Sequence, residues 1–202
     1  MQTDIISEVP EWPFIRERYM RWLDVLLSTV EFQYKVSTIH NTEHCARVLL
    51  HTLRLAHACR LNEEDSEALG AASIFHDAGR IADGLDTGHG ERSAHYYRDM
   101  CREKGFPYDE RSYLSMFFHD RPDEMGKEAF LKNGLREDTQ IYLIFKDSDG
   151  LDRLRLGARY LDLRKLRTPE ALGMVGFAGS IAHMTHEELI SMLDRPFRGS
   201  KI

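Results

Sequence analysis

Apolar residues along the chain recur mostly three or four positions apart, the spacing of helices that bury one face. Trp12, Ile15, Tyr19, Trp22, Leu23 and Leu26 make one such stripe and predict a helix from Trp12 to Tyr34, entered through Pro10 and Pro13. A second helix runs to about Arg60, with Ser37, Thr38 and Asn41 as alternative N-caps and His44, Val48, His51 and Leu55 on one face. Glu63, Glu64 and Asp65 open a third, where acids suit the helix dipole. It carries Ala68, Leu69, Ala71, Ala72 and Phe75 into His76-Asp77, and Gly79 offers a stop. Ile81 to Gly90 reads as a loop, because Gly84, Asp86, Thr87, Gly88 and Gly90 disfavour regular structure. Helices follow over Glu91 to Lys104 and Asp109 to Phe118, the latter closing on His119-Asp120. Residues 121–137 read as a surface loop with one short helix, and Thr139 to Leu156 as a further helix. Gly173, Gly176 and Gly179 loosen the segment after Pro169. Thr185 and Glu188 form a capping box that opens a last short helix and accounts for His186.

This is an all-α pattern without repeats or a linker, so one domain over residues 1–202 is expected, as its length allows. Hydrophobic residues make up 42% and charged residues 30%, which places the chain among ordinary globular proteins. The net charge of -6 argues against a general binder of long nucleic acid. Cys45, Cys59 and Cys101 form no zinc-like spacing, and an odd count fits a reducing cytosol. Met1-Gln2-Thr3-Asp4 lacks a secretion-signal pattern, and no apolar run approaches the roughly 18 residues of a membrane span. A cytoplasmic location without membrane partners is therefore expected.

Chemistry concentrates where apolar segments end. Ile74-Phe75-His76-Asp77 delivers a neutral nitrogen donor beside a carboxylate, a pair suited to metal ligation in which the carboxylate can bridge two ions. His44 lies upstream on an apolar helix face, where a lone His is usually a hydrogen-bonded core residue; that is the reading for His51 and His57. His40 stands one turn before His44 if the helix begins that early. His89 lies between glycines, either exposed or held close to a ligand. Asp147, Asp149 and Asp152 follow the buried run Ile-Tyr-Leu-Ile-Phe, close enough to repel one another and raise at least one pKa unless a cation or arginines neutralise them; the alternative is a solvated acidic face. Arg153, Arg155, Arg159, Arg164, Lys165 and Arg167 form a basic stretch, either a phosphate-binding wall or a solvated helix face.

His44, His76-Asp77 and Asp149 together resemble the HD superfamily of metal-dependent phosphohydrolases, over about residues 38–156. Ser148-Asp149-Gly150-Leu151 is similar to that family's late Asp-x-Leu motif, which favours Asp149 over Asp147. The resemblance implies an α-helical bundle with a metal site between helices, flanked by the N-terminal helix 12–34 and the C-terminal segment 157–202. It implies His44, His76, Asp77 and Asp149 as metal ligands. His40-Asn41-Thr42-Glu43-His44 also resembles the stretch in cyclic-nucleotide phosphodiesterases of that superfamily where the first His protonates the leaving oxygen, which implies His40 as general acid. Two-metal branches carry two further histidines before the last Asp. His89 and His119 fall there, although the interval from Asp77 to His89 is shorter than usual; their alternative role is contact with a substrate phosphate.

The implied activity is hydrolysis of a nucleotide or other small phosphate ester. Metal-activated water attacks phosphorus at Asp77's metal, Arg153 and its neighbours stabilise the added charge, and His40 gives the proton. Mixed His and carboxylate donors suit Mn, Co, Ni, Zn or Fe, as one ion or two. Two other readings use the same residues: a di-iron oxygenase with all six ligands, and a nucleotide-binding regulatory module with little turnover. A homo-oligomer docking through the N-terminal helix is a further expectation.

Overall fold

The helix Thr42–Ala58 (α2) is the axis of the molecule. Asn41 starts it, its side chain accepting the His44 N–H at 3.2 Å. That cap fixes where the helical register begins and hence which face His44 occupies. Nearly every residue from His44 to Ala56 is buried, because Trp12–Thr29 (α1), Glu63–Phe75 (α3) and Thr139–Leu151 (α7) pack around it. His89–Lys104 (α4) pairs with Glu110–Phe118 (α5) against α3, and Asp123–Lys132 (α6) lies on α5 and α7. Pro169–Gly173 (α8), Val175–Ile181 (α9) and His186–Leu193 (α10) complete the bundle. This computed structural model describes residues 12–194, and those residues contain no strand.

One apolar core joins Ile15, Leu49, Phe75, Met116, Phe145, Phe177 and Leu189, drawn from helices along the whole chain. Each fully buried Phe or Leu of this kind contributes about 1.5–3 kcal/mol relative to exposure. A smaller core of Leu114, Phe130 and Tyr142 seats α6. The apolar stripe of α1 buries Ile15, Tyr19, Leu23 and Leu26 as its spacing predicts, with Trp22 half-buried. The Trp12 side chain, Pro10 and residues 195–202 lie outside the described residues.

Several expectations change. Helix α1 ends at Thr29 rather than Tyr34, because the following backbone spends its donors elsewhere: Glu31 N–H on the Tyr96 hydroxyl, and Gln33 N–H on the Ala78 carbonyl at 2.8 Å. Helix α7 gives way at Asp152 to a 3-10 turn, Asp152–Leu156, which ends at Gly157 with φ 108°. Residues three apart eclipse in such a turn, and Arg155 accordingly reaches both the Asp152 carbonyl, at 3.0 Å, and its carboxylate. The basic stretch beyond it forms 3-10 turns rather than a helix face. Gly176 and Gly179 lie inside α9 instead of loosening the chain. His57 is exposed rather than in the core, and His51, though fully buried, hydrogen-bonds through neither ring nitrogen.

Two glycines allow the close packing on which the site depends. A Cβ on Gly79 would stand 2.6 Å from the Ser93 amide of α4, and one on Gly90 would stand 2.5 Å from the Met116 carbonyl of α5. Gly90 thus lets α4 settle onto α5 and carries its neighbour His89 toward His119. We expect Gly90→Ala to lower stability by about 1–3 kcal/mol through this overlap. Thermal denaturation of chelator-treated protein checks it; an unchanged midpoint would show that the close approach is not needed.

Candidate metal centre

Three interruptions of helical structure deliver the central side chains. α3 ends at Phe75, so His76 caps it and Asp77 falls in the turn beyond. α5 ends at Phe118 with His119 as its cap. α4 begins at His89, two residues earlier than the glycine-rich sequence suggests, because Gly88 adopts a left-handed φ of 93° and Asp120 accepts its N–H. His89 is therefore buried at a helix start, not exposed in a loop.

His44 Nε2 lies 3.1 Å from His76 Nε2, 3.3 Å from Asp77 Oδ2 and 3.4 Å from Asp149 Oδ1. His76 Nε2 lies 3.7 Å from Asp77 Oδ2 and 3.9 Å from Asp149 Oδ1. The other Asp77 oxygen, Oδ1, lies 3.3 Å from His89 Nε2 and 3.8 Å from His119 Nε2, and those two nitrogens are 2.8 Å apart. Asp77 thus turns one carboxylate oxygen to each of two donor groups. His44, His76 and Asp77 form one set able to hold an ion, and Asp77, His89 and His119 form another. Adjacent ligands of a first-row metal at about 2.1 Å stand roughly 3.0–3.4 Å apart, close to these separations.

The opposite edge of each ring shows why these donors suit a cation. His44 Nδ1 faces Asp152 Oδ2 at 2.7 Å, His76 Nδ1 the Ser73 carbonyl at 2.9 Å, His89 Nδ1 the Asp86 carbonyl at 2.6 Å, and His119 Nδ1 the Met116 carbonyl at 2.6 Å. Each acceptor calls for a proton on Nδ1, which leaves the Nε2 lone pair pointing inward. Lone pairs facing each other at such distances repel unless positive charge sits between them. Ion-free titration follows the same logic. Burial disfavours charge on His44, but Asp149, Asp152 and Asp77 outweigh it and hold its pKa up at about 9. Burial pushes His76 down to about 3. Burial also opposes ionisation of Asp77 and Asp149, yet the surrounding histidines hold both well below the usual carboxylate range.

The acids of α7 divide their work. Asp149 faces the cluster. Asp147 does not: its carboxylate accepts the Arg167 and Thr168 backbone N–H groups and the Thr168 hydroxyl, and so pins the start of α8. Asp152 stands behind His44 and takes Arg47 through Nε at 2.8 Å and Nη2 at 3.2 Å. Sequence reasoning did not assign Asp152 this positioning place; the available sign was its spacing three residues after Asp149. It also missed Arg80, whose Nε lies 2.9 Å from Asp77 Oδ1.

His40 precedes the N-cap and is not part of α2, but its ring centroid still lies 5.9 Å from that of His44. Ser37 accepts its backbone N–H, Asp83 faces its Nδ1 at 3.2 Å, and Arg155 holds the Ile39 carbonyl at 3.0 Å. Burial pushes its pKa down to about 4, despite the nearby Asp77 and Asp83, rather than leaving it at the ordinary 6.5. Arg153 is exposed and borders the cleft over the cluster.

Fold and cluster together define a class: an all-α protein with buried His/Asp sets of the kind that hold divalent metals. Residues 41–154, more than half of the chain, match the HD domain, and the chain belongs to that family. The family consists mostly of metal-dependent phosphohydrolases. No curated protein and no solved structure matches the chain. Among the described residues, no helix is long and apolar enough to cross a membrane.

Two substitutions separate ligand from support. Asp77→Ala should abolish metal uptake, since it removes an oxygen from both sets. Asp152→Asn should weaken affinity by about 10–100-fold without abolishing it, because Asp152 faces the outer edge of His44 and contributes no oxygen to either set. Metal titration followed by calorimetry distinguishes them; equal affinity in Asp152→Asn and wild type would remove Asp152 from the site.

Proposed function

We propose that the protein is a metal-dependent phosphohydrolase acting on a nucleotide or other small phosphate ester. One observation carries this reading: Asp77 presents its two oxygens to two separate His sets at the floor of a cleft bordered by Arg80, Arg153 and Arg155. Divalent ions held there supply Lewis acidity toward phosphoryl oxygens and lower the pKa of bound water. In this reading His44, His76, Asp77 and Asp149 hold the first ion, and Asp77, His89 and His119 a second. The residues around them then have separable tasks.

Arg153, free of hydrogen bonds and ion pairs to the described residues, is available to a phosphate oxygen and to charge added as the reaction proceeds. Arg80 is already committed to Asp77 and holds that carboxylate in its two-sided orientation. His40 is the proton donor to the leaving oxygen. Its pKa of about 4 makes it neutral at pH 7. A phosphate dianion entering the cleft favours the charged ring and draws it toward the donor form. Asp83 keeps Nδ1 engaged and leaves Nε2 for the transfer. The segment that carries His40 is tied to Arg155, and through Arg155 to Asp152 behind His44. Placement of the proton donor and of the first ion is therefore coupled.

The same six residues fit a di-iron oxygenase, and metal content with O₂ uptake decides between them. We expect one or two equivalents of Mn, Co, Ni or Zn by elemental analysis, and phosphate release from nucleotide esters without O₂ consumption. About two equivalents of iron, with O₂ consumed, would overturn hydrolysis. His40→Ala should retain the metal but lose about 10²–10⁴ in kcat; unchanged turnover would remove His40 from proton transfer. Saturable nucleotide binding without any product would mark a regulatory module.

A further inference from the structure

Two clefts open onto the cluster and differ in chemistry. One of about 310 Å3 is bordered by His40, Arg80, Asp83 and Asp86. The other, of about 570 Å3, is bordered by Arg121, Lys146, Lys165 and Arg167. They share His119, Asp120, Asp149 and Arg153. We propose that the larger cleft seats a second phosphate group of the substrate, so that the substrate is a compound with at least two phosphates, one reacting at the cluster and one held in this cleft. The proposal rests on the phosphohydrolase reading for the first phosphate only.

The cations of the larger cleft fall into two groups. Lys146 is committed: its Nζ donates to the Arg121 carbonyl at 2.6 Å and pairs with Asp123 at 2.6 Å. Arg167 is held between Asp123 and Asp147, and Arg164 lies on Asp162 at 2.9 Å. These charges are already neutralised within the fold. Arg121 is held more loosely: it forms ion pairs with Asp120 at 3.4 Å and Glu91 at 3.7 Å, but its buried Nε makes no hydrogen bond. The side chains of Arg153 and Lys165 make no hydrogen bond or ion pair to any described residue.

Location decides what these three can reach. Arg153 stands on the wall common to both clefts and serves the reacting phosphate. Arg121 and Lys165 border only the larger cleft. A phosphate at the cluster alone leaves Lys165 without a partner and the Arg121 Nε without a hydrogen bond, whereas a second phosphate further along satisfies both. Arginine offers a planar fork that matches two phosphate oxygens, and lysine a mobile point charge. The volume falls within the roughly 300–1,000 Å3 of sites that enclose a whole small molecule, well above what one phosphate needs. Tyr160, Leu161 and Leu166 on the same wall give an organic portion of the ligand an apolar surface.

Calorimetry on the full chain as purified tests this with a series of alkane α,ω-bisphosphonates of lengthening chain and the matched monophosphonates, whose C–P bonds a phosphohydrolase leaves intact. At the best length, the bisphosphonate should bind at least about tenfold tighter than its monophosphonate, as expected for added charge-assisted hydrogen bonds. Lys165→Ala and Arg121→Gln, made singly, should each reduce that ratio several-fold. Lys165 is exposed, so its variant keeps the test valid if the Arg121 variant fails to fold. Arg102→Ala/Lys104→Ala, which removes two exposed charges from the end of α4, should leave the ratio unchanged. No bisphosphonate outbinding its partner, or equal loss in the α4 control, would overturn the second seat. Hydrolysis of single-phosphate esters alongside that result would leave the phosphohydrolase reading standing. A Lys165-dependent bisphosphonate preference without turnover of any ester would do the reverse.

Discussion

Everything around the site is arranged to let one carboxylate face two ways. Asp77 is almost fully buried, with its oxygens aimed at different histidine pairs. A buried carboxylate is costly unless its charge is met, and among the described residues Arg80 is the one permanent cation paired with Asp77. Burial keeps His76 neutral, and carbonyl acceptors at Nδ1 of His76, His89 and His119 turn the Nε2 edges of those rings inward. Their combined demand for positive charge is the physical content of the site. In the ion-free protein His44 meets part of it by holding a proton to a pKa of about 9. A proton and a metal ion compete for the same lone pair.

That demand explains the order of layers in α7. Side chains two residues apart on a helix point to different sides, so Asp147 cannot join Asp149 at the cluster, whereas Asp152, three residues on, returns to the same face and meets the other edge of His44. Asp149 meets the cluster. Asp147 turns to the start of α8, where it accepts backbone N–H groups and pairs with the Arg167 guanidinium. Asp152 sits where the helix tightens into a 3-10 turn, and there it joins His44, Arg47 and Arg155. The mutual repulsion implied by three neighbouring acids is thus resolved by sending each to a different positive or donor-rich partner. Arg47 and Arg155 extend the same layer to the Met184 and Ile39 carbonyls, so the ligand helix, the C-terminal region and the His40 segment share one polar network.

Much of this was legible because it is local. Helical spacing and N-capping chemistry identified the helices, and His-Asp at the end of an apolar run marked the center of the cluster. The parts that were not legible depend on partners distant in sequence. The early end of α1 follows from hydrogen bonds to Ala78 and Tyr96, the latter on α4. Gly90 looked like loop punctuation or a close approach to a ligand, yet it is inside a helix, where it clears the Met116 carbonyl. Gly176 and Gly179 likewise sit in α9, between residues that enter the core. His51 shows the limit of reading side chains one at a time: its apolar face predicted burial correctly, but no local pattern tells whether a buried ring finds an acceptor.

Net charge illustrates the same difference between sum and arrangement. The net charge of -6 describes only the sum of the chain's charges, and salt screens that sum beyond about 10 Å. Inside a cleft the total has little influence, and what counts is which charges the fold has left unspent. Most arginines and lysines near the cluster are bound to specific carboxylates and act as structure. A few, at the junction of the two clefts and along the larger one, are not. In the proposed function these uncommitted cations beside the cluster are what a small, densely charged ligand meets at contact, where the total charge has little influence.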